Sequence, residues 1–108
     1  MWTLRQVRRH FRVTSLGHLR CSLSLGVLSD PEPVADAVRR VSPETLVVLD
    51  AVCAVASEEI RMDSWGIDVV ITASQKGLGA PPGLSIVIAS QKAMKVTSLC
   101  GRRSTAQH

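Results

Sequence analysis

The chain has 108 residues, enough for one domain with a modest core and too few for two. A hydrophobic share of 45% and a mean hydropathy of +0.17 place it with globular rather than disordered chains. The net charge of +4 comes from the ends, where residues 1–29 hold five arginines and no acid and Arg102 and Arg103 lie near the C-terminus; with no tyrosine and 3% aromatics, this is not the basic, aromatic-interleaved surface that holds nucleic acid.

Cys21, Cys53 and Cys100 are odd in number and form no CxxC pair, so neither a zinc site nor a disulfide framework is indicated, and a reducing compartment fits. Cys53, inside the run AVCAVA, reads as a small core residue. His10, His18 and His108 lack metal-ligand spacing, and no metal is expected. The longest apolar stretch is interrupted by Asp50 and falls short of the ~20 residues a spanning helix requires, so no membrane role is expected.

Residues 1–25 form a basic arm. On a helix Leu4, Val7 and Phe11 share one face while Arg5, Arg8, Arg9 and Arg12 share the neighbouring one, the acid-free amphipathic pattern of an organelle-targeting leader. The competing reading, which we favour, is that the arm is not native protein but a misassigned start or intron read-through. Asp30 before Pro31 then has the form of an N-cap with proline at the first helical position, and Val34, Ala37, Val38 and Val41 follow at helical spacing. This helix ends near Pro43. Residues 45–50 (TLVVLD) are a short apolar run that reads as a strand covered on both faces, as in a parallel sheet. The polar, acidic residues 57–63 read as a loop or short helical turn, with Trp65 packing under the sheet. Residues 67–72 form a second strand, 84–89 (LSIVIA) a third, and 91–96 start a helix. The alternation predicts an α/β fold with a mainly parallel sheet.

Between the second and third strands lies SQKGLGAPPG, residues 74–83. It sets Lys76 at the mouth of a glycine- and proline-rich turn directly after an apolar strand. Partial burial beside that apolar wall lowers a lysine pKa and frees the amine to condense with an aldehyde as a Schiff base. The plain alternative is a solvated loop lysine. Ligands in open α/β sheets sit at the carboxyl ends of strands, where both Asp50 and Lys76 fall. By itself Asp50 also reads as a capping or salt-bridging aspartate. Gly77, Gly79 and Gly83 could suggest a phosphate cradle, but Pro81 and Pro82 remove donors and the spacing is not GxGxxG; they better suit a stiff turn that aims Lys76.

Two blocks, GVLSDPEPVADAVRR and VSPETLVVLDAVCAVASEEIRMDSWGIDVVITASQKGLGAPPGLSIVIAS, resemble the alanine-glyoxylate and serine-pyruvate aminotransferases, class V pyridoxal-phosphate enzymes, in their fungal form. The likeness runs without gaps over residues 26–96, with an aspartate 26 positions before the lysine (76 − 50). It implies that residues 26–96 are a piece of the large, cofactor-binding domain of a fold type I transferase, with residues 1–25 and the tail 97–108 divergent. It also implies that the strand after the lysine loop runs antiparallel to its neighbours.

The same resemblance implies the roles. Lys76 would hold pyridoxal 5'-phosphate and, once displaced by an amino-acid substrate, move the proton of the substrate α carbon. Asp50 would lie against the ring nitrogen and favour its protonated form. Val52 corresponds to the position packed on the pyridine ring, Gln75 to one that hydrogen-bonds the phosphate, and Ser24 keeps its place in a polar run that meets the cofactor. The implied reaction moves an amino group from alanine or serine to glyoxylate or pyruvate. Partners would be a small amino acid, a 2-oxo acid and, in full-length members, a second subunit; the implied setting is intracellular, the peroxisome before mitochondrion or cytosol. The arginine that holds the substrate carboxylate belongs to a small domain outside these residues, so the 108 residues alone are expected to be inactive. The alternatives are an inactive α/β remnant that binds a partner through exposed apolar surface, and a small basic RNA-binding or targeted protein resting on the arm alone.

Overall fold

A computed structural model of the chain describes residues 13–16, 21–22, 27–28 and 30–104. The helical reading of Leu4, Val7 and Phe11 and the position of Ser24 lie outside these residues. Three short strands open the structure, β1 (Val13–Leu16), β2 (Cys21–Ser22) and β3 (Val27–Leu28). At two to four residues none is long enough to show a period, which is why the sequence offered no sign of them. They are followed by α1 (Glu32–Val41), β4 (Leu46–Asp50), the single turn α2 (Met62–Trp65), β5 (Val69–Ala73), β6 (Ser85–Ala89) and α3 (Gln91–Ser104). No helix among the described residues is long and apolar enough to cross a membrane.

The main sheet has the order β1-β4-β5-β6, and β2 pairs with β3 in a separate two-stranded sheet. The pairings β1 with β4 and β4 with β5 are parallel, and β5 with β6 is antiparallel. This is the mainly parallel α/β sheet expected, with the expected reversal after the lysine loop. The reversal follows from connection length, because only an antiparallel neighbour can be reached by a tight return, whereas the parallel pair β4 and β5 is joined through the turns and α2.

Asp30 caps α1 by accepting a hydrogen bond from the Glu32 N–H (3.1 Å), and Pro31 already has helical angles (φ −79°, ψ −18°). The buried stripe of this helix differs from the one read in the sequence. Pro31 and Ala35 are buried and Val38 is half-buried, whereas Val34, Ala37 and Val41 face outward, Val41 at 86% exposure. Both sets obey helical spacing; the small Ala35 wins because it lets the helix approach the sheet closely.

One face of the sheet carries the core. Val47 and Leu49 of β4 and Val70 of β5 pack with Ala35, Ala51, Ala54, Trp65 and Ile67, and Trp65 sits where its bulk was expected. On the opposite face Val48, Asp50, Val69, Ile71 and Ala73 are half-buried. The described residues therefore cover β4 and β5 fully on one face only. Gly66 ends α2 in the left-handed region (φ 66°), and the Arg39 guanidinium occupies the space its side chain would need.

The amino ends of the strands meet at Asp68, a residue the sequence reading passed over. Its buried carboxylate accepts hydrogen bonds from the Val47 N–H (2.9 Å) and the Ser90 hydroxyl (3.2 Å), and faces the Lys92 ammonium at 3.5 Å. Lys92 also donates to the carbonyls of Pro43 and Thr45, both at 2.9 Å. One side chain thus ties the starts of β4 and β5 to the junction of β6 and α3. Asp68→Ala leaves the Val47 N–H without a partner and is expected to cost about 2 kcal/mol, read as a lower urea midpoint; Asp68→Asn, which keeps an acceptor, should lose less.

Candidate active site

β4 and β5 run parallel, so their carboxyl ends open on the same side, and Asp50 stands opposite Ile71 in the ladder. Residues paired in this way share a sheet face. Asp50 is half-buried, and its Oδ1 accepts a hydrogen bond from the Val52 N–H at 3.2 Å. The other carboxylate oxygen accepts none among the described residues. Val52 and Cys53 are half-buried beside it, in a chain segment wound tight by bonds from the Ala54 and Val55 N–H groups to the Ala51 carbonyl, both 3.0 Å.

Beyond β5 the lysine loop is closed by Ser74. Its hydroxyl donates to the Pro81 carbonyl (2.7 Å) and accepts from the Leu84 N–H (3.4 Å), and its main chain binds Leu84 and Ala80 at 3.1 and 3.0 Å. Ser74 is buried at the base of the loop. Inside this frame the Gly79 N–H donates to the Lys76 carbonyl at 2.9 Å, which makes residues 76–79 a tight turn, with Gly79 at φ 65°. The amides of Gly79, Ala80 and Leu84 are consumed by these bonds and the prolines have none to give, so the loop is a built turn.

Lys76 is exposed, and its amine makes no hydrogen bond or ion pair among the described residues. The apolar wall expected around it is not supplied by these residues, because the turn carries the side chain past the end of β5. Gln75 is exposed as well. The loops that follow the two strands come together at Gly77. A side chain there would collide with the Val55 carbonyl oxygen and approach the Ser57 hydroxyl to 2.8 Å, so the lysine loop lies with its bare backbone against the turn that follows Asp50. In that turn Ala56 adopts a left-handed backbone (φ 67°), rare for a residue with a side chain.

A family model for the aminotransferase class V group matches residues 4–104. The chain belongs to the class V aminotransferase family. It is 49% identical over 71 residues to alanine-glyoxylate aminotransferase 1 of Saccharomyces cerevisiae, covering 66% of this chain and 18% of that protein. It is 44% identical over 70 residues to L-aspartate-glyoxylate aminotransferase of Paracoccus denitrificans, covering 65% of this chain and 18% of that protein. Among solved structures, an aspartate aminotransferase of subgroup IV from Thermus thermophilus superposes with a TM-score of 0.72 at 32% identity, over 85% of this chain and 26% of that one. The chain spans about a fifth of the length of the curated relatives it matches, at 18%. The fold is that of the pyridoxal-phosphate fold type I aminotransferases, and this class V segment supplies two strand tips of their sheet.

Sequence reading gave Ser74 no task, and it gave Gly77 a place in the turn but not its contact with the neighbouring loop. A serine closing a loop across seven residues has no local signature, and the close approach of Gly77 depends on a segment some twenty positions away. Thr72, next to the loop in β5, is buried with its hydroxyl unpaired among the described residues, on the core face and so away from Asp50.

Two glycine substitutions separate contact from conformation. Gly77→Ala forces the loops apart and should cost about 2 kcal/mol as an overpacked contact, whereas Gly79→Ala meets open space and should cost only the left-handed penalty of about 1 kcal/mol, both read by thermal denaturation. Conversely, Ala56→Gly should raise stability by about 1 kcal/mol by relieving the positive φ, seen as a higher melting temperature.

Proposed function

We propose that these residues are the cofactor-holding strand tips of a pyridoxal-phosphate aminotransferase that moves an amino group from a small amino acid, alanine or serine, to glyoxylate or pyruvate. Support comes from family membership and from one arrangement, in which Asp50 ends β4 and Lys76 follows the carboxyl end of the adjacent parallel β5, the two strands' loops meeting at Gly77.

The residues present suit the group. An aldehyde needs a primary amine without other bonds, and Lys76 offers one; a pyridine nitrogen needs a carboxylate oxygen, and Asp50 keeps one free among the described residues while its partner oxygen is fixed by Val52. Lys92 is already committed to two carbonyls and Asp68. In this reading Asp50 holds the ring nitrogen, Val52 lies on the ring, Gln75 and Ser24 meet the phosphate, and Lys76 binds the aldehyde. Pyridoxal phosphate, when bound, supplies the electron sink that makes the substrate α carbon acidic. The Lys76 amine takes that proton, and the stiff turn closed by Ser74 limits where the amine can reach. Residues 26–96 form the cofactor-binding segment, and a homodimer and an intracellular setting, the peroxisome first, belong to the same proposal. The 108 residues alone are inactive in it, since the arginine for the substrate carboxylate lies elsewhere.

The decisive experiment is reduction with borohydride after addition of pyridoxal phosphate, followed by peptide mapping. Label should concentrate on Lys76 over Lys92 and Lys95 and vanish in Lys76→Ala. Asp50→Asn should weaken cofactor retention about tenfold or more, the loss of one charge-assisted hydrogen bond. Label spread evenly over the three lysines would sink the assignment.

A further inference from the structure

The far limb of the lysine loop contains a loose joint. Pro81 and Pro82 fix their own φ and are stiff, but Gly83 follows them at φ 140°, a backbone that side chains rarely adopt, with open space where one would stand. Rotation at Gly83 would swing the limb against β6, and with it the tight turn that carries Lys76. The Ser74 hydroxyl grips the chain on both sides of this joint, donating to the Pro81 carbonyl before it (2.7 Å) and accepting from the Leu84 N–H directly after it (3.4 Å). Ser74 is itself anchored just past the end of β5, 3% exposed, two residues before Lys76. Its main-chain bonds join it to the Ala80 N–H and the Leu84 carbonyl, and reach neither the Pro81 carbonyl nor the Leu84 N–H. The setting of the joint therefore falls to the hydroxyl.

We propose that Ser74 is a positioning residue for Lys76: by spanning the Gly83 joint, its hydroxyl fixes the loop in the setting from which the Lys76 amine meets an aldehyde held at Asp50. The inference rests on the aminotransferase reading and goes beyond it by giving a task to a side chain whose hydroxyl donates within the loop. Lysine has a long flexible stem, so the reach of its amine is set where the stem begins, at the backbone. A misplacement of about 1 Å there can cost about a hundredfold in reaction with a fixed partner. The Gly77 contact holds the middle of the loop against the Asp50 turn, and Ser74 holds its two ends together. Carboxylate and amine are thus set through different contacts, and the two meet only through the ring. An amine out of place loses the advantage that Asp50 gives by holding that ring.

Treatment of the whole chain with limiting pyridoxal phosphate, then borohydride and peptide mapping, tests the role. Ser74→Ala should lower the label on Lys76 about tenfold, while the label on Lys92 and Lys95 and the far-ultraviolet circular dichroism stay as in the parent. Ser74→Thr, which keeps the hydroxyl, should label like the parent. Asp50→Asn should lower the Lys76 label in the parent but add little in Ser74→Ala, because both changes act on one encounter. Undiminished Lys76 label in Ser74→Ala overturns the positioning role and leaves the cofactor reading standing. So does a loss that Ser74→Thr shares, a loss spread equally over the three lysines, or effects of Ser74→Ala and Asp50→Asn that simply multiply. Even label over the three lysines of the parent overturns both.

Discussion

The site depends on the contact between the Gly77 backbone and the turn at Val55. Parallel strands alone bring two loops to the same edge of a sheet, but they do not fix the loops relative to each other. A bare backbone pressed on a carbonyl does, because neither group has rotamers to yield. The Asp50 turn, wound on the Ala51 carbonyl, and the lysine loop, closed on Ser74, are each stiff in themselves. Joined at Gly77 they form a single platform, which fixes the backbone from which the carboxylate and the amine project. Such preorganisation is what a chemistry of proton transfer between fixed groups requires.

Much of this was legible in the sequence because it depends on short-range signals. The apolar runs TLVVLD and LSIVIA, the Asp-Pro start of α1 and the glycine and proline punctuation of the lysine loop each announce their own element. The family likeness supplied the reversed direction of β6. Where the reading failed, the deciding partner was distant in the chain. Val34 and Val41 fit a helical stripe as well as Ala35 and Val38 do, and only the sheet selects which stripe is buried. Asp68 looked like one more acid between apolar residues, and its role appears when Ser90 and Lys92, more than twenty positions on, fold back to it. The exposure of Lys76 is a similar case, since the hydrophobic run before it ends one turn too early to wall it in.

The two faces of the sheet differ for a related reason. Core residues from α1, α2 and the Asp50 turn converge on one face, so the half-buried valines and Ile71 on the other rely on what lies beyond the described residues. The face that carries Asp50 is the one that the described residues cover only in part.

The Asp68 cluster and the Gly77 platform occupy opposite ends of the same two strands. Each end is thus tied by its own device, a buried carboxylate at one and a close backbone contact at the other. Changes in the loops at one end can therefore leave the anchoring at the other end of the same strands intact.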